Sequence, residues 1–131
     1  MLSVPLSHIG LVALGGAGGA VARFLSLHMV TELISRPRLP WGTFAVNVVG
    51  SFLIGVAIML TIEHMGSSRT RLLAITGFLG GFTTFSAYSF ELTEMLIDKR
   101  YGPAAAYGLG SVVVCVAATF AGAFLVREMS R

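Results

Sequence analysis

Residues 80–86 read Gly-Gly-Phe-Thr-Thr-Phe-Ser and lie in the middle of an apolar run long enough to cross a bilayer. Paired glycines release the backbone from helical geometry, and β-branched threonines do little to restore it. A helix interrupted at bilayer depth exposes amide and carbonyl groups, which is tolerable only where they line a cavity, bind an ion or are buried in protein. The run therefore points to an ion pathway.

The rest of the chain supports a membrane setting. Only 11% of the 131 residues are charged and 55% are hydrophobic, with a mean hydropathy of +0.84. Soluble domains carry about 25% charged residues, so this chain lacks the charge to cover a water-facing surface. A chain this short holds little more than four spans of about 20 residues each. The spans are expected from about Ser7 to Thr31, Trp41 to Ile62, Leu72 to Ile97 and Ala104 to Val126, the third interrupted at Gly80–Thr84. The N-terminus lacks the basic start and small-residue cleavage site of a signal peptide, so the first run is read as a retained span. The single Cys115 excludes an intramolecular disulfide. Fold class is thus all-α integral membrane, four transmembrane helices with the third broken mid-span, in one domain over residues 1–131.

Loop charges bear on orientation. With four spans, Arg69, Arg71, Arg127 and Arg131 fall on one side, and Arg36, Arg38, Lys99 and Arg100 on the other. The positive-inside rule works through asymmetry in this count, and here there is none. Insertion in both orientations, with an antiparallel homodimer as the product, is the expectation; a single orientation fixed by other factors is the alternative.

Polar residues recur at helical spacing. Thr43, Asn47 and Ser51 form an i, i+4, i+8 stripe on the second span, and Tyr107, Ser111, Cys115 and Thr119 form another on the fourth. A buried amide such as Asn47 needs partners or water; it is either an interhelical clamp or part of a pore lining. Phe82, Phe85 and Tyr88 follow at three-residue spacing around the break, with Ser86 and Ser89 nearby. Aromatic rings have a positive edge, which can meet a small anion without a trapping charge, although such rings are more often core. Gly15 and Gly19 form a GxxxG pair suited to close helix packing. Arg23, a cation inside the first span, snorkels, pairs with Glu91 or Glu94, or stands at an aqueous vestibule. Cys115 reads as a packing residue. His8, His28 and His64 show no metal-ligand spacing, and no nucleophile elbow, phosphate loop or paired carboxylate is present, so an enzyme is not expected.

Three stretches together resemble the Fluc fluoride channels, also called CrcB proteins: Gly42-Thr43-Phe44-Ala45-Val46-Asn47, Gly77-Phe78-Leu79-Gly80-Gly81-Phe82-Thr83-Thr84-Phe85-Ser86, and Gly18-Gly19-Ala20-Val21-Ala22-Arg23. The resemblance covers length, span count and motif order. It implies a dual-topology antiparallel homodimer in the inner or plasma membrane of a prokaryote, with two pores that pass fluoride down its gradient as protection from its toxicity. It also implies a structural sodium ion on the dimer axis, held by backbone carbonyls that by position belong to Gly80 and Thr83. By the same resemblance, Asn47, Phe85, Tyr88 and Ser111 line the pore, Cys115 and Thr119 are further members of its polar track, and Arg23 stands at the vestibule; Phe82, Thr43, Ser86 and Tyr107 are further pore candidates by their spacing. Tyr88 stands where the family often has phenylalanine, leaving open whether ring edge or hydroxyl faces the ion. Fluoride is small and strongly hydrated, so a pore must replace its water with donors such as Asn, Ser, Thr and Tyr.

Two other classes compete. A small dual-topology multidrug or cation exporter shares the four short spans and balanced loops. Such exporters use a carboxylate within the first span, whereas here Glu32 stands at its end and Arg23 inside it. A structural subunit without transport would leave the broken span and its polar stripes unexplained.

Overall fold

The computed structural model describes residues 4–34, 39–63 and 67–131. Arg36, Pro37, Arg38 and His64 lie outside the described residues. The described chain is helical, with no strand: α1 (Leu6–Leu33), α2 (Trp41–Glu63), α3 (Ser68–Thr70), a π-helix (Arg71–Leu79), α4 (Gly80–Phe82), α5 (Phe85–Ile97) and α6 (Tyr101–Met129). Four stretches are long and apolar enough to span a membrane: Leu6–Leu33, Trp41–Ile62, Ser68–Ile97 and Tyr101–Met129. Each is the span expected from the sequence. The helices run past the expected ends, because apolarity stops at the first polar residue while backbone hydrogen bonding does not. Pro103 lies in the first turn of α6, where its missing amide has no intrahelical partner to lose.

The spans pack as two pairs. The first lies along the π-helix and α4 of the third, and the second lies along the fourth. Glycine makes both approaches possible. A Cβ on Gly15 would collide with the Leu73 carbonyl, and one on Gly19 with the Phe78 carbonyl. On the other pair, Gly55 meets the Thr119 carbonyl and Gly122 the Phe52 carbonyl in the same way. Backbone-to-backbone contact through small residues is how helices associate when lipid removes the hydrophobic drive.

The break in the third span is narrower than the sequence reading. Gly80 has φ −63° and ψ −35°, and the helix continues through Phe82. Only Thr83 (φ −80°, ψ 156°) and Thr84 (φ −148°, ψ 118°) are extended. The glycines are therefore not the hinge. Gly81 instead allows α4 to lie against the Gly16 backbone. The threonines end one helix and start the next: Thr83 Oγ1 donates back to the Leu79 carbonyl at 3.0 Å, and Thr84 Oγ1 accepts the Ala87 amide at 3.2 Å as an N-cap.

Past the break, α5 returns through a tight turn in which Arg100 N donates to the Met95 carbonyl at 2.8 Å and Lys99 takes φ 58°. Tyr88, Met95, Ala104 and Tyr107 form a buried cluster where α5 meets α6, flanked by Leu39, Phe44 and Leu92. Most other large apolar side chains, among them Leu14, Phe24, Phe120 and Phe124, are exposed. That distribution suits a lipid solvent.

Candidate functional site

The polar stripe of the second span meets the third span at three levels. Thr43 Oγ1 donates to Glu91 Oε1 at 2.6 Å on α5. Asn47 meets the break itself: Nδ2 donates to the Thr84 carbonyl at 3.0 Å, and Oδ1 accepts the Thr84 amide at 2.8 Å. Ser51 lines an open groove of about 400 Å³ with Asn47, Gly50, Thr76, Gly80 and Thr83 among its walls. Helical spacing on α2 thus follows the course of the interrupted partner.

The Asn47 clamp rewires the backbone around it. In a continuous helix the Thr84 amide would close on the Gly80 carbonyl, and the Ala87 amide on that of Thr83. Here the first goes to Asn47 and the second to Thr84 Oγ1. The Thr83 carbonyl instead accepts Arg23 Nη1 at 3.3 Å. Arg23 is thus engaged at the helix break, and the pairing with Glu91 or Glu94 is not what the structure contains. Glu91 accepts from Thr43 through one oxygen and from the Tyr107 hydroxyl through the other, each at 2.6 Å.

Asn47, Phe85, Tyr88 and Ser111 come together around one cavity of about 110 Å³, completed by Val112 and Cys115. The Phe85 and Tyr88 rings lie 5.3 Å apart at 39°, and the Tyr88 and Tyr107 rings 5.3 Å apart at 45°. Phe85 is 76% exposed and Tyr88 only 9%. The Tyr88 hydroxyl donates to the Gly108 carbonyl at 2.8 Å. Its proton is therefore committed, and the ring is what Tyr88 brings to the cavity. Ser111, 6% exposed, carries the one buried side-chain polar atom among the described residues without a hydrogen-bond partner.

Other expected members are elsewhere. Phe82 is buried and stacks on Phe78 with centroids 6.1 Å apart. Three-residue spacing does not carry across two extended residues, so Phe82 does not share the face of Phe85 and Tyr88. Ser86 is exposed, its hydroxyl 3.2 Å from Thr84 Oγ1. Thr43 and Tyr107 meet at Glu91, a polar node separate from the cavity walls. Thr119 Oγ1 donates to the Cys115 carbonyl at 3.1 Å and is local to its helix.

Two features had no clear sequence signal. Glu91 joins the second, third and fourth spans, although a carboxylate near a span end reads as interfacial. The π-helix over Arg71–Leu79 has only Gly77 to announce it, and that glycine also fits close packing against Gly15. π-Turns occur often at functional sites, and this one leads into the break.

The cavity has no fixed cation in its walls, and the surface it presents is almost wholly apolar. Behind that surface the Ser111 O–H is buried without a partner, and Asn47 retains one amide N–H beyond the one given to Thr84. Ring edges of Phe85 and Tyr88 add partial positive charge. Such a set suits a small anion in transit. The family model described as "CrcB-like protein, Camphor Resistance (CrcB)" matches residues 10–123. The chain belongs to the CrcB family.

Among relatives of this CrcB protein, "Fluoride-specific ion channel FluC" of Phenylobacterium zucineum is 48% identical over 122 residues, covering 91% of this chain and 94% of the relative. The protein of the same name from Agrobacterium fabrum is 45% identical over 123 residues, 93% and 98% of the two chains. That from Hahella chejuensis is 42% identical over 127 residues, 96% and 98%. All three carry a channel's name and none an enzyme's. With bacterial relatives and four spanning helices, this CrcB protein is a multi-pass protein of a prokaryotic plasma membrane.

Proposed function

We propose that this CrcB protein is a fluoride-selective channel that lets toxic fluoride leave the cell by passive electrodiffusion. The observation that carries this reading is the cavity where the unpartnered Ser111 hydroxyl, the Asn47 amide and the Phe85 and Tyr88 rings converge. Fluoride entering there exchanges water for an O–H, an N–H and ring edges, none of which binds it too tightly for release. The names of the relatives supply the ion. They also favour a channel over a multidrug or cation exporter, as does Arg23 in the first span.

The proposed assembly is an antiparallel homodimer with two pores. Its support is the equal loop charge and the open groove along Ser51, Thr76, Gly80 and Thr83. Polar backbone at bilayer depth calls for a protein neighbour, and a second copy supplies the symmetric one.

A structural sodium ion on that axis fits the donors present. The break turns both expected amides away from the Gly80 and Thr83 carbonyls, leaving hard oxygens of the kind sodium takes. Arg23 uses one lone pair of Thr83, and a carbonyl has two. When bound, the ion supplies fixed positive charge; the residues that hold the break in shape are Asn47, Arg23 and Thr84.

Current through a planar bilayer tests the reading. Reversal at the fluoride equilibrium potential is expected. A current that follows chloride or protons would reject it.

A further inference from the structure

Arg23 is half-buried on α1, and its Nη1 donates to the Thr83 carbonyl at 3.3 Å. Snorkelling would carry the guanidinium toward the membrane surface; here it turns onto the helix break. It forms no ion pair with a described carboxylate. Glu91 accepts from Thr43 and Tyr107 instead. No group of His, Cys, Asp and Glu fit to hold a metal occurs among the described residues. The donors that the break offers a cation are thus the neutral Gly80 and Thr83 carbonyls, whose expected helical amides go to Asn47 and Thr84 Oγ1. Beside them stands one fixed positive charge.

We propose that Arg23 sets the charge class of the cation the break accepts, admitting a monovalent ion and excluding a divalent one. The proposal rests on the sodium reading above. Carbonyl oxygens are hard ligands that calcium also takes, so ligand type alone does not separate the two ions. Calcium sites usually add carboxylate charge, whereas this break adds a guanidinium. Coulomb repulsion scales with the product of the charges, so that guanidinium opposes a divalent ion twice as strongly as a monovalent one. At bilayer depth little water is present to screen the difference. The Thr83 oxygen has two lone pairs, and the guanidinium is anchored on the oxygen that the ion would share.

The test follows the unfolding temperature of the purified full chain in detergent as sodium chloride or calcium chloride replaces choline chloride, since a bound ion raises that temperature with its concentration. The parent protein is expected to respond to sodium and not to calcium, and radiosodium bound to it is expected to resist displacement by calcium. Arg23→Gln keeps an amide donor and drops the charge. Its half-saturating sodium concentration is expected to fall on the order of tenfold, and it is expected to gain a calcium response that sodium competes away. Arg23→Lys, which restores the charge, is expected to behave as the parent does. An Arg23→Gln protein that loses the sodium response, or matches the parent toward both ions, would overturn the proposal, because the side chain would then only hold the carbonyl in place. Calcium that displaces radiosodium from the parent would overturn it without any variant. A parent indifferent to sodium whose Arg23→Gln form responds would support the action of the Arg23 charge and overturn the sodium reading. Indifference of both proteins to both ions would overturn both.

Discussion

Asn47 holds Thr84 from both sides of its amide, donating to the Thr84 carbonyl at 3.0 Å and accepting the Thr84 amide at 2.8 Å. One side chain on the second span thereby does for the extended Thr84 what a neighbouring strand would do. It fixes the break, frees the Gly80 carbonyl of its helical amide and still points into the cavity. Clamp and pore lining, which the sequence offered as alternatives, are both available to this residue.

Asn47→Asp tests the clamp. The carboxylate still accepts the Thr84 amide but faces the Thr84 carbonyl with no donor. A buried acceptor left without its partner costs roughly 1–3 kcal/mol. The expected outcome is a lower unfolding temperature in detergent, with elution on size exclusion unchanged from the parent protein, and strongly reduced fluoride flux.

Ser111→Ala separates function from stability by sign. Removing a hydroxyl that has no partner is structurally neutral or mildly stabilising, yet it removes the ion donor proposed above. Flux is expected to fall while the unfolding temperature holds or rises. A destabilised variant with normal flux would contradict the assignment.

The aromatic pair divides in two. Phe85 is 76% exposed, so Phe85→Ile is expected to cut flux with the fold of the chain intact. Tyr88→Phe keeps the ring and loses the hydrogen bond to Gly108, about 1 kcal/mol. Flux is expected to persist in Tyr88→Phe and to fail in Tyr88→Ile, measured side by side in the same efflux assay.

Gly19→Ala tests the pairing of the first and third spans. Its Cβ would meet the Phe78 carbonyl, which is backbone and cannot swing aside. Overpacking of this kind costs about 1–3 kcal/mol. Gly10→Ala, with open space around it, is the matched control and is expected to leave thermal stability unchanged.

Much of this site was legible because helical spacing is local. The i+4 stripes on the second and fourth spans placed Asn47 and Ser111 on inward faces, and the Thr83-Thr84 pair lay within the expected break. What escaped depended on partners far away in sequence. The glycines of the third span looked like a hinge, but Gly81 is shaped by Gly16 and the first span. Glu91 looked interfacial because nothing local reveals Thr43 and Tyr107 converging on it. Phe82 was assigned to the wrong face because a three-residue repeat assumes an unbroken helix. Tyr88 could be resolved only once Gly108 was seen to hold its hydroxyl.

The most direct test is efflux from proteoliposomes loaded with fluoride, read by a fluoride electrode, with chloride as the comparison and a potassium ionophore to compensate charge. The account predicts fast fluoride efflux that needs only the ionophore, with little chloride release and loss of the fluoride signal in Phe85→Ile. Fluoride retained by vesicles that hold folded protein, or chloride leaving as fast as fluoride, would contradict it.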